Sequence, residues 1–143
     1  SKPLLSLKGV EMGSSDETKN YKVGIKTRTR ILGKDYVMGT INDATKLDRK
    51  FQKFITESAW GTVWSGNELS DQERSLITIS LLAALGHQDE LAMHLKAAKN
   101  LDLDLEKVSE AIMHVAIYAG IPEANKAFKV LKRVSQEIAE RSE

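Results

Sequence analysis

The hydrophobic and polar positions along the chain predict helices over most of its length. After a polar first turn, eight of the eleven positions from 75 to 85 are apolar and none is charged, and Ser70 with Glu73 has the Ser-x-x-Glu spacing of a capping box. This pattern predicts a helix from Asp71 that ends at Gly86. With so little polar surface, the helix is expected to be buried on most sides.

Five further helices follow from the 3.6-residue period of apolar positions. They are predicted over residues 15–33, 45–60, 88–101, 104–118 and 122–140, with a loop over 34–42. In the helix over 45–60, Leu47, Phe51 and Phe54 are expected to face the core. Gly86 and His87 predict a tight turn between two antiparallel helices. The fold class is therefore an all-α bundle of six helices.

The length and composition limit the classes of protein that the chain can belong to. Its 143 residues suit one domain, predicted over 16–143, behind an N-terminal extension over 1–15 that carries no motif. A net charge of +1 argues against a nucleic-acid partner, and the absence of cysteine excludes disulfides and thiolate chemistry. No apolar run approaches the roughly 20 residues of a membrane span, so a cytoplasmic protein without a membrane partner is expected.

Three groups capable of proton chemistry follow the apolar helix. His87, Glu90 and His94 stand at i, i+3 and i+7, which places two imidazoles and a carboxylate on one face of a helix. Glu90 is expected to fix the tautomer of His94 and to raise its pKa. The plainer interpretation is a solvated acid between two histidines at the edge of the core.

Two other stretches provide candidate binding residues. Arg74 lies near a helix N-terminus, where the helix dipole disfavours a cation, so a carboxylate or an anionic ligand explains it better than helix stability does. The segment 57–64 begins with Glu57 and contains Trp60 and Trp64. The tryptophans are either core or interface anchors or the wall of a pocket. Glu57 is included with them as a candidate for substrate binding.

Several short motifs occur together in a recognisable order. They are Trp60-Gly61-x-x-Trp64, Glu73-Arg74-Ser75-Leu76, Leu82-Ala83-Ala84-Leu85-Gly86, Asp89-Glu90-Leu91-Ala92-x-His94 and Ala116-x-Tyr118-Ala119-Gly120-Ile121-Pro122-x-Ala124-Asn125. From about Tyr21 to Val134 the chain resembles the carboxymuconolactone decarboxylase family. The wider alkylhydroperoxidase D-like superfamily has Cys-x-x-Cys-x-x-x-His on the equivalent helix. Here His87 and Glu90 replace the cysteines, which places peroxidase chemistry out of reach.

The resemblance implies a fold, a reaction and an assembly. The fold would be the alkylhydroperoxidase D-like bundle with a central antiparallel helix pair. The reaction would be the decarboxylation of 4-carboxymuconolactone to β-ketoadipate enol-lactone in the protocatechuate branch of aromatic catabolism, without a cofactor or a metal. The assembly would be a ring-shaped homo-oligomer, commonly a hexamer built as a trimer of dimers.

The predicted reaction assigns work to the candidate residues. The substrate's conjugated lactone carbonyl accepts the electrons that departing CO2 leaves, so the protein has to hold carboxylates, stabilise an oxyanion and deliver a proton. Arg74 suits the first task. A histidine of the 87/94 pair, Trp60 or Trp64 suits the second, and the other histidine or Glu90 suits the third. The alternatives are a metal-dependent or other lyase or isomerase acting on a different small carboxylic acid, and a non-catalytic helical assembly protein.

Overall fold

The computed structural model describes residues 17–142, whose regular structure is entirely helical. In chain order these residues form α1 (Lys19–Leu32), α2 (Lys34–Asp43), α3 (Arg49–Ile55), a π-helix (Thr56–Val63), α4 (Asp71–Leu85), α5 (Gln88–Ala98), a 3-10 helix (Lys99–Leu101), α6 (Leu105–Tyr118) and α7 (Ile121–Arg141). The all-α class is confirmed, but these residues hold seven α-helices rather than six. The extension over 1–15, with Ser15 as the expected start of the first helix, lies outside the described residues.

Two compact units divide the chain after residue 68. Unit 1 contains α1 to α3 and the π-helix, and unit 2 contains α4 to α7 with the 3-10 helix. The single domain over 16–143 stays a prediction. Across residues 17–142, no helix combines the length and the apolar character that a membrane crossing requires.

Unit 1 is organised around the contact between α1 and the π-helix. A Cβ added at Gly24 of α1 would lie 2.0 Å from the carbonyl oxygen of Thr56. One added at Gly61 of the π-helix would lie 2.3 Å from the carbonyl oxygen of Asn20. The two backbones therefore touch directly, which only glycine permits at these positions.

The predicted loop over 34–42 is wrong, because α2 occupies it. Gly33, at φ +93°, lies between the end of α1 and the start of α2 and lets the chain turn sharply. Val37 and Ile41, four residues apart, are the buried residues of α2. Gly33 thus lies between the end of α1 and the start of α2, whereas the sequence pattern predicted only that a helix ends at Gly33.

The predicted helix over 45–60 is also corrected. α3 begins at Arg49, and the chain continues from Thr56 in the wider π-helical geometry. Leu47, Phe51 and Phe54 are exposed instead of facing the core. Phe51 and Phe54 lie on an apolar face of α3 that the described residues leave exposed, and Leu47 lies in the turn before the helix.

Unit 2 has a continuous apolar core formed by α4 to α7. Its fully or almost fully buried residues include Ile79, Leu91, Leu95, Ala98, Val108, Ile112, Val130 and Val134. The predicted capping box is present, since Ser70 accepts from the backbone of Glu73 and Glu73 accepts from the backbone of Ser70. Gly86 ends α4 in the left-handed conformation at φ +77°. However, α4 is not buried on most sides, because Ile77, Leu81 and Leu85 are exposed.

Candidate active site

His94 is the buried histidine of unit 2. It lies on α5 between Leu91 and Leu95, both of which are in the apolar core, and only 6% of its surface is exposed. This burial lowers the pKa of His94 to about 4, because a charged imidazolium would lose its water. At neutral pH the side chain is therefore a neutral imidazole, which can donate one hydrogen bond and accept another.

The other two members of the predicted triad lie in a different environment. His87 is the N-cap residue before α5, and Glu90 is in the first turn of that helix; both are exposed. The three side chains therefore differ in burial, since His94 lies one turn beyond Glu90, where α5 enters the core. The expected rise in the pKa of His94 is wrong, because burial lowers this pKa and Glu90 is not among the causes. The effect of Glu90 on the tautomer of His94 stays a prediction.

Arg74 lies in the first turn of α4, directly after the capping box. Its side chain is partly buried, and its backbone N–H donates to the carbonyl of Ser70 at 3.0 Å. The hydrogen bond from the backbone of Ser70 to Glu73 lowers the pKa of that carboxyl, and Arg74 contributes to the shift. A guanidinium at this position can bind a carboxylate through two parallel hydrogen bonds.

Trp60 and Trp64 lie on the π-helix and at its end in unit 1. Their rings stack with centroids 5.0 Å apart and an interplanar angle of 28°, and both residues are buried. The backbone N–H of Trp64 donates to Ala59 at 2.8 Å, a five-residue separation that is typical of the π-helix. Stacking and burial support the interpretation of these rings as anchors of the unit.

Glu57 is also in unit 1 and borders an open hollow. Its carboxylate accepts a hydrogen bond from Thr18 and forms an ion pair with Lys53 at 3.6 Å. The hollow has a volume of about 440 Å3 and is lined by Thr18, Lys19, Asn20, Phe54, Glu57, Ser58 and Thr62. Glu57 thus has protein partners of its own, which gives it a structural role beside the predicted one.

The sequence analysis did not single out Arg28, which is buried on α1. Only 4% of Arg28 is exposed, and Nη1 donates to Gln52 Oε1 at 3.1 Å and to Thr56 Oγ1 at 3.3 Å. Within residues 17–142 its guanidinium has no carboxylate partner, and burial lowers its pKa. The available signal was the spacing from Tyr21 and Gly24, at i+7 and i+4, which puts Arg28 on the packed face of α1.

His87, Glu90 and His94, whose spacing raised the alternative of a metal-dependent enzyme, do not form a metal site in this structure. Among residues 17–142, no three histidine, aspartate or glutamate side chains lie close enough together to hold a metal ion. The pattern His87-x-x-Glu90-x-x-x-His94 therefore does not form a ligand set in this structure.

Comparisons with known proteins place these residues in a wider context. The model of the carboxymuconolactone decarboxylase family matches residues 49–133. Over 123 residues the chain is 37% identical to 4-carboxymuconolactone decarboxylase of Acinetobacter baylyi, covering 86% of this chain and 92% of that protein. Over 136 residues it is 34% identical to nitrosuccinic acid decarboxylase of Metarhizium robertsii, covering 91% and 95%.

Proposed function

Because the chain belongs to the carboxymuconolactone decarboxylase family, we propose that it is a carboxy-lyase that removes CO2 from 4-carboxymuconolactone and yields β-ketoadipate enol-lactone. The observation that carries the proposal is the pair of residues in unit 2 whose chemistry suits this reaction. They are the neutral, buried His94 and the partly buried Arg74 at the start of α4.

The electron flow defines what the protein has to supply. The C–C bond to the departing carboxylate breaks, and its electron pair moves through the ring double bond onto the lactone carbonyl oxygen, which gives a dienolate. A proton then adds to the carbon beside that carbonyl. The substrate is its own electron sink, so the protein has to stabilise the oxyanion and provide the proton.

His94 suits the stabilisation of the oxyanion better than the delivery of the proton. With a pKa of about 4, its imidazolium form is scarce near pH 7, so His94 is a poor general acid there. A neutral imidazole N–H in a desolvated place can instead donate a hydrogen bond to the developing oxyanion. His87 and Glu90, which are exposed, stay the candidates for the proton donor.

Arg74 is assigned to a carboxylate of the substrate. 4-Carboxymuconolactone has two carboxylates, one that leaves and one that is retained. A bidentate guanidinium can hold the retained group equally well before and during bond cleavage. Arg74→Lys is therefore expected to raise KM more than it lowers kcat, since the contact contributes uniformly to both states.

A second substrate is favoured by the similarity to nitrosuccinic acid decarboxylase. Nitrosuccinate also has two carboxylates, and its nitro group lies next to the carboxylate on the same carbon. Loss of that carboxylate would leave a nitronate, whose charge lies on oxygen as in the dienolate. The same oxyanion donor and carboxylate clamp would therefore suit either acid.

The decisive experiment measures both reactions with one preparation of purified protein. CO2 release and the ultraviolet absorbance of the lactone are followed with freshly generated 4-carboxymuconolactone, and CO2 release is followed with nitrosuccinate. A parallel reaction with a chelator tests the metal-dependent alternative. We expect the lactone to have the higher kcat/KM and the chelator to have no effect. Absence of turnover with both acids would contradict the proposal.

Replacement of His94 tests the assignment of the oxyanion donor. His94→Ala is expected to lower kcat about a hundredfold or more, the usual cost of losing one such donor. His94→Asn, which keeps an N–H donor, is expected to recover part of the loss. The matched control is His114→Ala, since His114 is exposed on α6. A folded His94→Ala protein with near-normal kcat would overturn the assignment.

A further inference from the structure

Arg28 is a buried cation that the fold of unit 1 keeps without a counter-charge. It lies on α1, it is almost fully buried, and within residues 17–142 no carboxylate forms an ion pair with it. Taking a charge out of water is costly unless an opposite charge or a full set of hydrogen bonds replaces the water. Stability alone therefore does not explain why an arginine occupies this position.

The hydrogen bonds of Arg28 use only one corner of its guanidinium. Nη1 donates to Gln52 Oε1 at 3.1 Å and to Thr56 Oγ1 at 3.3 Å, which accounts for both of its N–H groups. Nε is buried too, but it has no hydrogen-bond partner within residues 17–142. The edge formed by Nε and Nη2 therefore remains available. A carboxylate can bind such an edge through two parallel hydrogen bonds.

Two tyrosines add potential donors to the surroundings of Arg28. Tyr21 is buried two helical turns earlier on α1, and Tyr36 is half exposed on α2. Burial lowers the pKa of Arg28, and the phenols of Tyr36 and Tyr21 act electrostatically in the opposite direction. Neither phenol makes a hydrogen bond with residues 17–142. Each can therefore donate its O–H to an anion bound near Arg28.

The surroundings of Arg28 reach the protein surface, although Arg28 itself does not. Tyr36 is half exposed, and Gln52, which accepts from Arg28, is only partly buried. Exposed side chains change rotamer within nanoseconds. A small ligand can therefore approach the guanidinium past these two residues without a rearrangement of the helices.

The charge of Arg28 narrows the class of ligand. One carboxylate neutralises its single positive charge. A dianionic phosphate would leave a buried negative charge, and an uncharged ligand would leave the guanidinium uncompensated. A planar group with two oxygens and one negative charge matches both the charge and the free edge.

We propose that Arg28 binds one carboxylate of a small organic acid through Nε and Nη2, with the hydroxyls of Tyr21 and Tyr36 as further donors. The carboxylate belongs either to the substrate of the decarboxylation, which rests on the proposed function, or to another acid, which does not. In the competing explanation, Arg28 has only a structural role and ties α1 to Gln52 and Thr56.

The first experiment titrates the purified protein with succinate at millimolar concentrations, by calorimetry and by thermal unfolding. The wild type is expected to bind succinate and to unfold at a higher temperature in its presence, whereas succinamide, which is uncharged, is expected to have no effect. Arg28→Gln is expected to raise the Kd for succinate at least about tenfold, because it removes the charge and the paired donors. Arg28→Lys keeps the charge without the fork and is expected to recover part of the loss.

The matched control for these variants is Lys26→Gln. Lys26 is an exposed cation two residues before Arg28 on α1, so its replacement changes the net charge equally. The affinity of this variant for succinate is expected to equal that of the wild type. Far-ultraviolet circular dichroism shows whether each variant is folded.

Kinetics distinguishes the two sources of the carboxylate. If it belongs to the substrate, Arg28→Gln raises KM for 4-carboxymuconolactone at least about tenfold, and succinate inhibits the wild type competitively. If it belongs to another acid, KM stays unchanged while the binding of succinate is lost. Both results support the site, and the succinate titration tests it even if the protein releases no CO2.

Three results would overturn the proposal. They are a wild type that neither binds succinate nor is stabilised by it, a folded Arg28→Gln protein that binds succinate as tightly as the wild type, and tighter binding of inorganic phosphate than of succinate. If Arg28→Gln fails to fold, Arg28→Lys decides the question. A protein that binds succinate through Arg28 but releases no CO2 from either acid would contradict only the proposed function.

Discussion

The burial of His94 predicts that this one side chain makes the stability of the fold depend on pH. The pKa of His94 is about 4 in the folded chain, below the ordinary value of 6.5. As the pH falls, the unfolded chain therefore takes up the proton first. The folded state therefore has its full stability with respect to His94 above pH 6.5 and loses stability as the pH falls from 6.5 through about 4.

The magnitude follows from the difference between the two pKa values. One pKa unit corresponds to about 1.4 kcal/mol, so His94 alone should remove about 2 kcal/mol between pH 7 and pH 5. By pH 4 the loss should reach about 3 kcal/mol, a large share of the typical stability of a domain. His94→Gln removes the titrating group and keeps a polar side chain, so this part of the pH dependence should disappear.

Urea unfolding at several pH values, followed by circular dichroism at one protein concentration, measures the effect. Between pH 7 and pH 5, the free energy of unfolding of the wild type should fall by about 2 kcal/mol relative to that of His94→Gln. Carboxylates titrate in both proteins and cancel in the comparison. His114→Gln, at an exposed position, should follow the wild type. Parallel curves for the wild type and His94→Gln would refute the reasoning.

Three further substitutions test the packing, each by urea unfolding at neutral pH. Gly24→Ala should lower the free energy of unfolding by about 3 kcal/mol or more, because its Cβ would meet the carbonyl oxygen of Thr56. Gly39→Ala, which has open space around it, should be neutral or stabilising by up to about 1 kcal/mol. Equal effects of the two substitutions would contradict the backbone contact at Gly24. Arg28→Met should leave the free energy of unfolding unchanged or raise it, because it removes a buried charge that has no carboxylate partner within residues 17–142. A loss of more than about 2 kcal/mol in this free energy would contradict that account. Ser70→Ala should cost about 1 kcal/mol through loss of the capping box, and an unchanged midpoint would show that the cap contributes little.

Features that depend on neighbours in sequence were predictable. The capping box at Ser70, the stop at Gly86 and the span of α4 between them agree with the pattern, because caps and helix ends are set within a few residues. The position of α6, after its cap at Asp104, follows for the same reason. The resemblance to the decarboxylase family rested on short motifs and was likewise visible in the sequence.

Features that depend on packing were decided by the tertiary structure. The spacing of His87, Glu90 and His94 predicted one face, but only His94 reaches the core, where the surrounding helices remove its water and lower its pKa. A single sequence does not specify which helices will cover a given turn, so it determines neither the pKa shift of His94 nor the direction of that shift.

The same limit explains the outcome in unit 1. Lys26 and Arg30 flank Arg28 in the sequence, and nothing local to this basic stretch marks Arg28 as buried. The backbone contact between Gly24 and Gly61 brings the π-helix close to α1, and Arg28 is buried there. That contact joins residues 37 positions apart, which no local period reveals. The sequence alone therefore determined the helices of unit 2 and the residue types available for catalysis. The tertiary packing decided the helices of unit 1 and which of these side chains are buried away from water.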